Sequence, residues 1–232
     1  MKNLIKVFEK YNIKLSKEQE GQFDRYFSML VETNKVMNLT AITDEQDVLI
    51  KHFLDSALPE KLIPQNASVV DVGSGAGFPA IPLKIVRPDL NICMVDSLNK
   101  RINFLNDVIS SLNLSKTEAV HSRAEDFAFK NREKFDVAVA RAVAPLCTLA
   151  EYLIPLVKIG GICVIYKSTK LEEELAEAQK AIRVFGAKEE KIEKYVVEEL
   201  GMERNILVLK KIEKTSPKYP RNGNKPRTNP IK

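Results

Sequence analysis

The sequence predicts an α/β protein: a seven-stranded, mostly parallel sheet with helices on both faces, preceded by an N-terminal helical segment. Three observations support this fold class. From residue 68 onward, short runs rich in β-branched residues alternate with helical patterns, which is typical of parallel strands joined by helices. The last two predicted strands follow each other closely, which predicts an antiparallel edge. The residues before the first strand show helical patterns and turns.

Composition and charge divide the chain into three predicted segments. Residues 1–66 form the helical segment, residues 67–212 the α/β core and residues 213–232 a basic tail. The net charge of the chain is +5, whereas residues 210–232 alone carry +7, so the preceding part is slightly acidic. Positive charge concentrated in this way predicts a tail that binds phosphate groups, as RNA would supply.

The helical segment is predicted to contain three helices. Residues 1–14 form a short amphipathic helix. Ser16 and Gln19 have the spacing of a capping box before a long helix, and Thr43 and Gln46 repeat it before the next one. The long helix carries an apolar stripe at helical spacing, which we expect to face the core. Its members are Phe23, Tyr26, Phe27, Leu30 and Val31.

The core is predicted to alternate strands and helices to its end. Strands are expected at residues 68–72, 91–95, 117–121, 135–140, 162–167, about 192–198 and 205–211. Helices are expected at residues 79–86, 98–112, 145–157 and 171–185. Gly160 and Gly161 predict a turn before the fifth strand. The tail contains four prolines, so we expect it to be irregular.

The stretch SVVDVGSGAGFPAIP at residues 68–82 predicts a cofactor site. A buried strand leads into Gly73, Gly75 and Gly77, and Pro79 stands where a helix can begin. Glycines allow positive φ angles and place no Cβ in the way of a ligand, so the backbone can approach it closely. A nucleotide-type cofactor is therefore expected beside this turn.

The spacing of the glycines indicates which cofactor. The dinucleotide fingerprint would need a glycine where Phe78 stands, and the lysine of a triphosphate-binding loop is missing. Asp71 would repel a pyrophosphate but attract a cationic ligand. The pattern D-x-G-x-G-x-G resembles motif I of Rossmann-like S-adenosylmethionine methyltransferases, which makes S-adenosylmethionine the expected cofactor. Asp96 ends the second strand, where a carboxylate suits the ribose diol.

The next two strand ends supply further candidates. Ala124 and Glu125 follow the third strand, where they can border an adenine. Arg141 ends the fourth strand, beside the predicted cofactor. The Asn/Asp-Pro-Pro-aromatic motif common in amine methyltransferases is absent there, and Cys147 lies too far into an apolar helix for a nucleophile of carbon methylation. A ring nitrogen with its own lone pair remains as the target, because it needs positioning alone.

Other features limit the class of protein. No apolar run is long enough to span a bilayer, and charges throughout the N-terminal stretch argue against a signal peptide. Three cysteines in apolar stretches are expected to be reduced, and they lack metal-ligand spacing, so no metal site is predicted. We expect a cytoplasmic protein that makes no use of the membrane and is a monomer.

Motifs along the chain resemble the glucose-inhibited division protein B family of bacterial methyltransferases. The matching pieces, in family order, are NKVMNLTAI, KHFLDS, DVGSGAGFPAIPLKI, DSLNKRINFL, SRAED, ARAVA and KYPRNGNKP. The resemblance implies a Rossmann-like class I methyltransferase fold and methylation of guanine N7 in small-subunit (16S) ribosomal RNA, within a ribonucleoprotein or an assembling subunit. It also implies that Gly73, Phe78, Ala124, Glu125 and Arg141 hold the cofactor. The tail keeps the family's positive charge but not its full pattern.

Four residues are candidates for the catalytic site. They are Arg141, Asn38, His52 and Arg123. Each has a structural alternative: Asn38 can end a helix, His52 can form a local polar pair with Asp55, and the arginines can pair with neighbouring acids such as Glu125.

Two other functions remain open at the level of sequence. One is a non-catalytic RNA-binding module that retains a cofactor fold, and the other is a nicotinamide-dependent oxidoreductase. The intact DVGSGAG loop speaks against the first and its glycine spacing against the second.

Overall fold

The computed structural model of the chain describes residues 1–167 and 171–232. These residues contain a seven-stranded sheet in the order β3-β2-β1-β4-β5-β7-β6. The strands are β1 Ser68–Val72, β2 Asn91–Asp96, β3 Thr117–His121, β4 Phe135–Arg141, β5 Val157–Lys167, β6 Ala187–Val197 and β7 Met202–Lys211. Strands β1 to β5 pair in parallel, and β7 lies antiparallel between β5 and β6. The predicted fold class, including its antiparallel edge, is confirmed.

Helices precede the sheet and connect its parallel strands. The α-helices of the described residues are α1 Leu4–Lys10, α2 Lys17–Met37, α3 Glu45–Val48, α4 Asp55–Ala57, α5 Ala80–Val86, α6 Asn99–Ser111, α7 Ala124–Lys130, α8 Leu146–Leu153, α9 Leu171–Val184 and α10 Lys225–Thr228. A π-helical turn, Leu49–Leu54, joins α3 to α4, so these three pieces form one continuous helical stretch. Along the described part of the chain, no helix is long and apolar enough to cross a membrane.

The predicted capping boxes have different outcomes. At α2 the Ser16 side chain accepts from the backbone N–H of Gln19, and the Gln19 side chain accepts from the backbone N–H of Ser16, as predicted. The box at Thr43 is wrong. Asp44 caps α3 instead, because its carboxylate accepts from the N–H groups of both Gln46 and Asp47.

The predicted turn at Gly160 and Gly161 is also wrong. Both glycines lie inside β5, beside an irregularity in its pairing with β4 between Phe135 and Val137. A Cβ on Gly161 would come within 2.5 Å of the carbonyl oxygen of Asp136. Glycine is therefore required at a bulge of the sheet. For this reason β5 begins earlier than predicted.

Alternating residues of the strands bury two cores on opposite faces of the sheet. Val69 belongs to the core shared with α1, α2 and the π-helical turn, whereas Val70 belongs to the core beneath α8 and α9. Aromatic rings tie the first core together, with the Phe23 and Phe53 centroids 5.0 Å apart and Tyr26 stacked on Phe53 at 5.1 Å. The N-terminal helices thus complete one face of the sheet.

Candidate active site

The glycine loop after β1 is held by backbone hydrogen bonds to the neighbouring strand. The N–H groups of Gly73 and Ser74 donate to the Val95 carbonyl at 2.7 and 3.2 Å. Gly73 has φ +77°, and a Cβ there would lie 2.8 Å from the Val143 side chain. Gly77 has φ +102°, and a Cβ there would meet the Tyr26 hydroxyl at 2.9 Å. Larger residues would therefore change the course of the loop at both positions.

Asp71 is a buried carboxylate without a hydrogen-bond partner. It lies in β1 between Met94 and Val139, is 0% exposed, and neither of its oxygens has a partner in the described residues. Burial raises the pKa of Asp71 to about 8, although the nearby Ser74 hydroxyl, the Ala80 N–H and the charge of Arg141 oppose the rise without any of them reaching hydrogen-bond geometry. An orphaned buried carboxylate is costly in an empty protein. It fits a site that takes a cationic cofactor.

Asp96, at the end of β2, braces the loops around it. One oxygen accepts from the N–H of Leu98 at 2.9 Å, and the other accepts from the N–H of Gly75 at 2.9 Å and from Arg101 at 3.2 Å. Arg101 lies on α6, and its ion-pair partner is this carboxylate. The side chain of Asp96 is 3% exposed. It therefore fixes the glycine loop as well as bordering the adjacent cleft.

A cleft of about 320 Å³ opens at the carboxyl ends of β1 and β2, and we name it the β1–β2 cleft. Its walls include Gly73, Asp96, Arg123, Ala124, Glu125, Val143, Ala144, Thr148, Tyr152, Asn224 and Arg227. Glu125 is buried and pairs with Arg123 at 2.6 Å. Carboxylates at two strand ends, a close backbone approach and an apolar wall suit a nucleoside with a ribose diol.

Arg141 organises a second group of residues at the end of β4. Its Nη1 donates to the Lys51 carbonyl at 2.9 Å and to Asp55 at 2.8 Å, and its Nη2 lies 3.1 Å from Nδ1 of His52. The guanidinium carbon also lies 5.0 Å from the centre of the Phe78 ring. Arg141 therefore fastens the π-helical turn to the sheet, and the predicted direct pair of His52 and Asp55 is replaced by a link through this arginine.

His52 is held neutral by its surroundings. Its ring stacks on Phe78 with centroids 4.4 Å apart, and Nε2 lies 2.8 Å from the Thr40 hydroxyl. Burial, followed by the charge of Arg141, lowers the pKa of His52 to about 4. Near neutral pH the imidazole is consequently uncharged, and it positions the segment that carries Thr40.

A second cleft, of about 470 Å³, adjoins this group, and we name it the β4–β7 cleft. Its walls are Ile42, Lys51, His52, Asp55, Arg141, Ala142, Tyr166, Lys167, Glu174, Arg204, Asn205 and Ile206. Asp55 accepts from Arg204 at 2.8 Å on one oxygen and from Arg141 on the other. Four basic side chains against two acidic ones give this cleft a positive balance, which suits a polyanion.

The segment after β4 lines both clefts in succession. Arg141 and Ala142 belong to the β4–β7 cleft, and Val143 and Ala144 to the β1–β2 cleft. Ala142 has φ +56°, a left-handed conformation that is costly for a residue with a Cβ. The chain therefore bends at Ala142, and a single short segment lines both clefts.

The predicted site residues divide between these places. Those in the β1–β2 cleft are Gly73, Asp96, Arg123, Ala124 and Glu125, and those in the β4–β7 cleft are His52 and Arg141. Those that shape the glycine loop without lining either cleft are Asp71, Gly75, Gly77 and Phe78. Asn38 is exposed at the left-handed C-cap of α2 and lines neither cleft.

Several lining residues were not predicted as site residues. They include Asp55, Val143, Tyr152, Arg204, Asn224 and Arg227. Asn224 and Arg227 lie in KYPRNGNKP and its neighbourhood, a motif that was predicted to meet RNA. Arg204 carried no signal, since its partner Asp55 lies 149 residues away.

Cys147 is not placed to act as a nucleophile. Cys147 is buried, lines neither cleft, and burial raises the pKa of its thiol, which makes it a poor nucleophile. In the described ranges, no three His, Cys, Asp or Glu side chains are grouped so that they could hold a metal ion.

Solved structures of other proteins share the fold of this chain. TYW2 from M. jannaschii, solved in complex with AdoMet, has a TM-score of 0.56 at 16% identity, over 74% of this chain and 80% of that one. TrmN from Thermus thermophilus has a TM-score of 0.52 at 18% identity, over 71% and 53%. At these identities the likeness shows the fold alone.

The sequence comparisons identify the family. The profile of the family described as rRNA small subunit methyltransferase G (GidB) matches residues 19–214. Proteins named ribosomal RNA small subunit methyltransferase G are 48% identical in Lachnoclostridium phytofermentans, over 94% of this chain and 91% of the relative, and 46% identical in Staphylococcus carnosus, over 98% and 97%. The chain belongs to this family of methyltransferases. The resemblance is confirmed, and an oxidoreductase has no support.

Proposed function

We propose that the protein methylates N7 of a guanine in the RNA of the small ribosomal subunit, with S-adenosylmethionine as the methyl donor. The relatives' names supply the small-subunit RNA, and the family resemblance supplies guanine N7. The observation that carries the proposal is the segment after β4, whose consecutive residues line two adjoining clefts. One cleft suits a nucleoside cofactor and the other a base within a polyanion.

The β1–β2 cleft is the proposed cofactor site. Asp96 offers carboxylate oxygens to the ribose, and Ala124 and Glu125 border the adenine. The methionine part would lie along the glycine loop, where its cationic groups would lower the raised pKa of the buried Asp71 and favour the carboxylate form. The orphaned state of the Asp71 carboxylate supports this assignment, because a bound cation would offset its burial.

The β4–β7 cleft is the proposed site of the target guanine. When bound, S-adenosylmethionine supplies a methyl group on a sulfonium sulfur, which keeps the electron pair of the broken bond as the N7 lone pair takes the methyl. Arg141 and Arg204 can donate to O6 of the guanine and leave N7 free. Lys51 and Lys167, at the walls of the cleft, can meet neighbouring phosphates.

No proton needs to move before the transfer. N7 carries a lone pair and the product base is a cation, so positioning supplies the catalysis. His52 is neutral and Cys147 is buried outside both clefts, which agrees with a site lacking a general base or a covalent nucleophile. Asn38, which is exposed at the end of α2, is a proposed contact for RNA. Arg123 is a proposed contact for the cofactor. We place the activity in the cytoplasm, on ribosomal RNA within a ribonucleoprotein, with the protein acting as a monomer.

The test is methyl transfer from labelled S-adenosylmethionine to small-subunit RNA, both naked and assembled with ribosomal proteins, with N7-specific strand cleavage to map the product. We expect label at one guanine, and loss of that label with Gly73→Val, whose side chain would meet Val143. Gly21→Ala in α2 serves as control, because its backbone is not left-handed and no atom lies within 4 Å of the added Cβ. Label at another atom, or on no RNA form despite cofactor binding, contradicts the assignment of the substrate.

A further inference from the structure

The C-terminal residues 213–232 form a strap across α8, beside the β1–β2 cleft. A buried ion pair holds its centre: Arg221 donates to both oxygens of Glu151, at 2.9 and 2.6 Å, and its backbone N–H adds a third bond at 2.7 Å. Glu151 is 0% exposed. A carboxylate that is this deeply buried needs these donors, so the strap is packed as part of the folded protein.

Further contacts hold the strap on either side of this pair. Arg132 donates to the carbonyls of Thr215 and Tyr219 before it, and the Thr148 hydroxyl donates to the Pro226 carbonyl at 3.0 Å after it. Lys232, at the end of the strap, pairs with Glu177 of α9 at 2.7 Å. The strap is therefore seated at several points along its length.

The seated strap contributes two side chains to the β1–β2 cleft, Asn224 and Arg227. Both are exposed to solvent where they face the cavity. The Asn224 side-chain oxygen accepts from Arg123 at 2.5 Å, and Arg123 in turn pairs with Glu125. The strap is thus joined to the part of the cleft that Ala124 and Glu125 form.

We propose that Asn224 and Arg227 are cofactor-binding residues that hold the adenine end of the nucleoside. The proposal rests on the assignment of the β1–β2 cleft to the cofactor. A guanidinium is planar and stacks on aromatic rings, and an amide can donate to or accept from ring nitrogens. A cationic side chain would repel the sulfonium group, so Arg227 belongs with the uncharged purine.

The basic residues of the strap therefore have roles other than RNA binding, in ion pairs and at the cleft. Arg221 and Lys232 are paired with acids of α8 and α9, and Arg227 faces the cleft. Lys225 lies two residues before Arg227, is exposed and does not line the cleft. It supplies a matched control with the same charge on the same short helix.

The experiment measures binding of S-adenosylhomocysteine and of methylthioadenosine to the full chain by calorimetry. We expect Asn224→Ala and Arg227→Ala to weaken both ligands by about fivefold or more, because both contain the adenosine group. Lys225→Ala should stay within about twofold of the wild type. Melting temperatures of the three variants should match, which separates binding from folding.

Asp96→Asn distinguishes the two assignments. If it weakens binding and the strap variants do not, the role of the strap is overturned and the cofactor cleft stands. If none of these variants weakens binding, the cofactor lies elsewhere and both assignments fall. Limited proteolysis of the wild type supplies a further measurement. Methylthioadenosine should slow tryptic cleavage after Arg227 but not after Lys6 in α1. The same rate of cleavage after Arg227 with and without the ligand would overturn the proposal.

Discussion

At the scale of single residues, the buried carboxyl group of Asp71 lowers the stability of the folded protein, and we propose that it favours binding of the cationic cofactor. Its pKa rises from 3.8 to about 8 in the folded chain. An acid with a raised folded pKa contributes stability below its unfolded pKa and loses it as the pH rises through the folded one. The free energy of unfolding should therefore fall between about pH 4 and pH 8 on account of this group.

We expect Asp71→Asn to raise the free energy of unfolding of the cofactor-free protein at pH 8 by about 1–3 kcal/mol, because the amide carries no charge into the core. Urea unfolding at several pH values measures it. Asp107→Asn, at an exposed position of α6, is the control. Identical pH dependence in the wild type and Asp71→Asn would contradict the burial argument.

His52 should position rather than transfer protons. Its lowered folded pKa means that its contribution to stability is present above its ordinary pKa of 6.5 and is lost as the pH falls toward about 4. We expect His52→Gln to slow single-turnover methylation by a factor that stays constant from about pH 6 to about pH 8. A ratio of rates that changes tenfold per pH unit would show that His52 carries the reacting proton.

At the scale of elements, α2 is the support of the glycine loop. The buried Tyr26 hydroxyl donates to the carbonyl of Ala76 at 2.6 Å, and it occupies the space that a side chain at Gly77 would need. Near the start of the same helix, the Gln19 side chain donates to the Ile85 carbonyl of α5 at 2.7 Å. The N-terminal helices thus set the shape of the proposed cofactor site from behind.

Tyr26→Phe removes this one hydrogen bond and leaves the aromatic packing in place. We expect the free energy of unfolding to fall by about 1 kcal/mol and cofactor affinity to fall by about threefold or more, because the loop carbonyl loses its partner. Calorimetric titration with S-adenosylhomocysteine measures the affinity. Tyr11→Phe is the matched control, since its phenol bonds Glu199 far along the chain. Equal affinities in both variants would refute the supporting role of α2.

The elements show which signals can be read from sequence. The Ser16 cap was predictable because its partner, Gln19, lies three residues away. The glycine loop was predictable from its own residue pattern, although Val95 and Asp96, which hold it, lie about twenty residues further along the chain. Gly161 was misread because a bulge and a turn use the same residue, and only the approach of the Asp136 carbonyl distinguishes them. Asp44 caps α3 instead of Thr43 because the Asp44 side chain reaches two backbone N–H groups.

At the scale of the whole molecule, Asp55 joins three distant parts of the chain. It lies in α4 and binds Arg141 of β4 and Arg204 of β7, both at 2.8 Å. These contacts link the N-terminal helices to both sides of the β4–β7 cleft. The sequence predicted His52 and Arg141 as site residues and gave Asp55 only as a possible local partner of His52. A partner 149 residues away leaves no local pattern to find.

Asp55→Ala should be strongly destabilising. The substitution removes the carboxylate that two guanidinium groups share. Removing one partner of a buried ion pair costs about 3–5 kcal/mol. Because these arginines are partly exposed, we expect a loss of about 2–4 kcal/mol in chemical unfolding. Glu32→Ala, which breaks an exposed pair with Lys35, should change stability little. A small effect at Asp55 would mean that the three elements hold together without it.

We propose that the two clefts have separate roles, with the cofactor bound in one and the target base in the other. The most direct test measures cofactor affinity and the RNA concentration that half-saturates single-turnover methylation, in Asp96→Asn and Arg204→Gln. We predict that Asp96→Asn weakens the cofactor by about tenfold and leaves the RNA dependence unchanged. Arg204→Gln should raise the half-saturating RNA concentration by about tenfold with unchanged cofactor affinity. If Arg204→Gln weakened the cofactor as Asp96→Asn does, the two clefts would act as a single site and the account would be wrong.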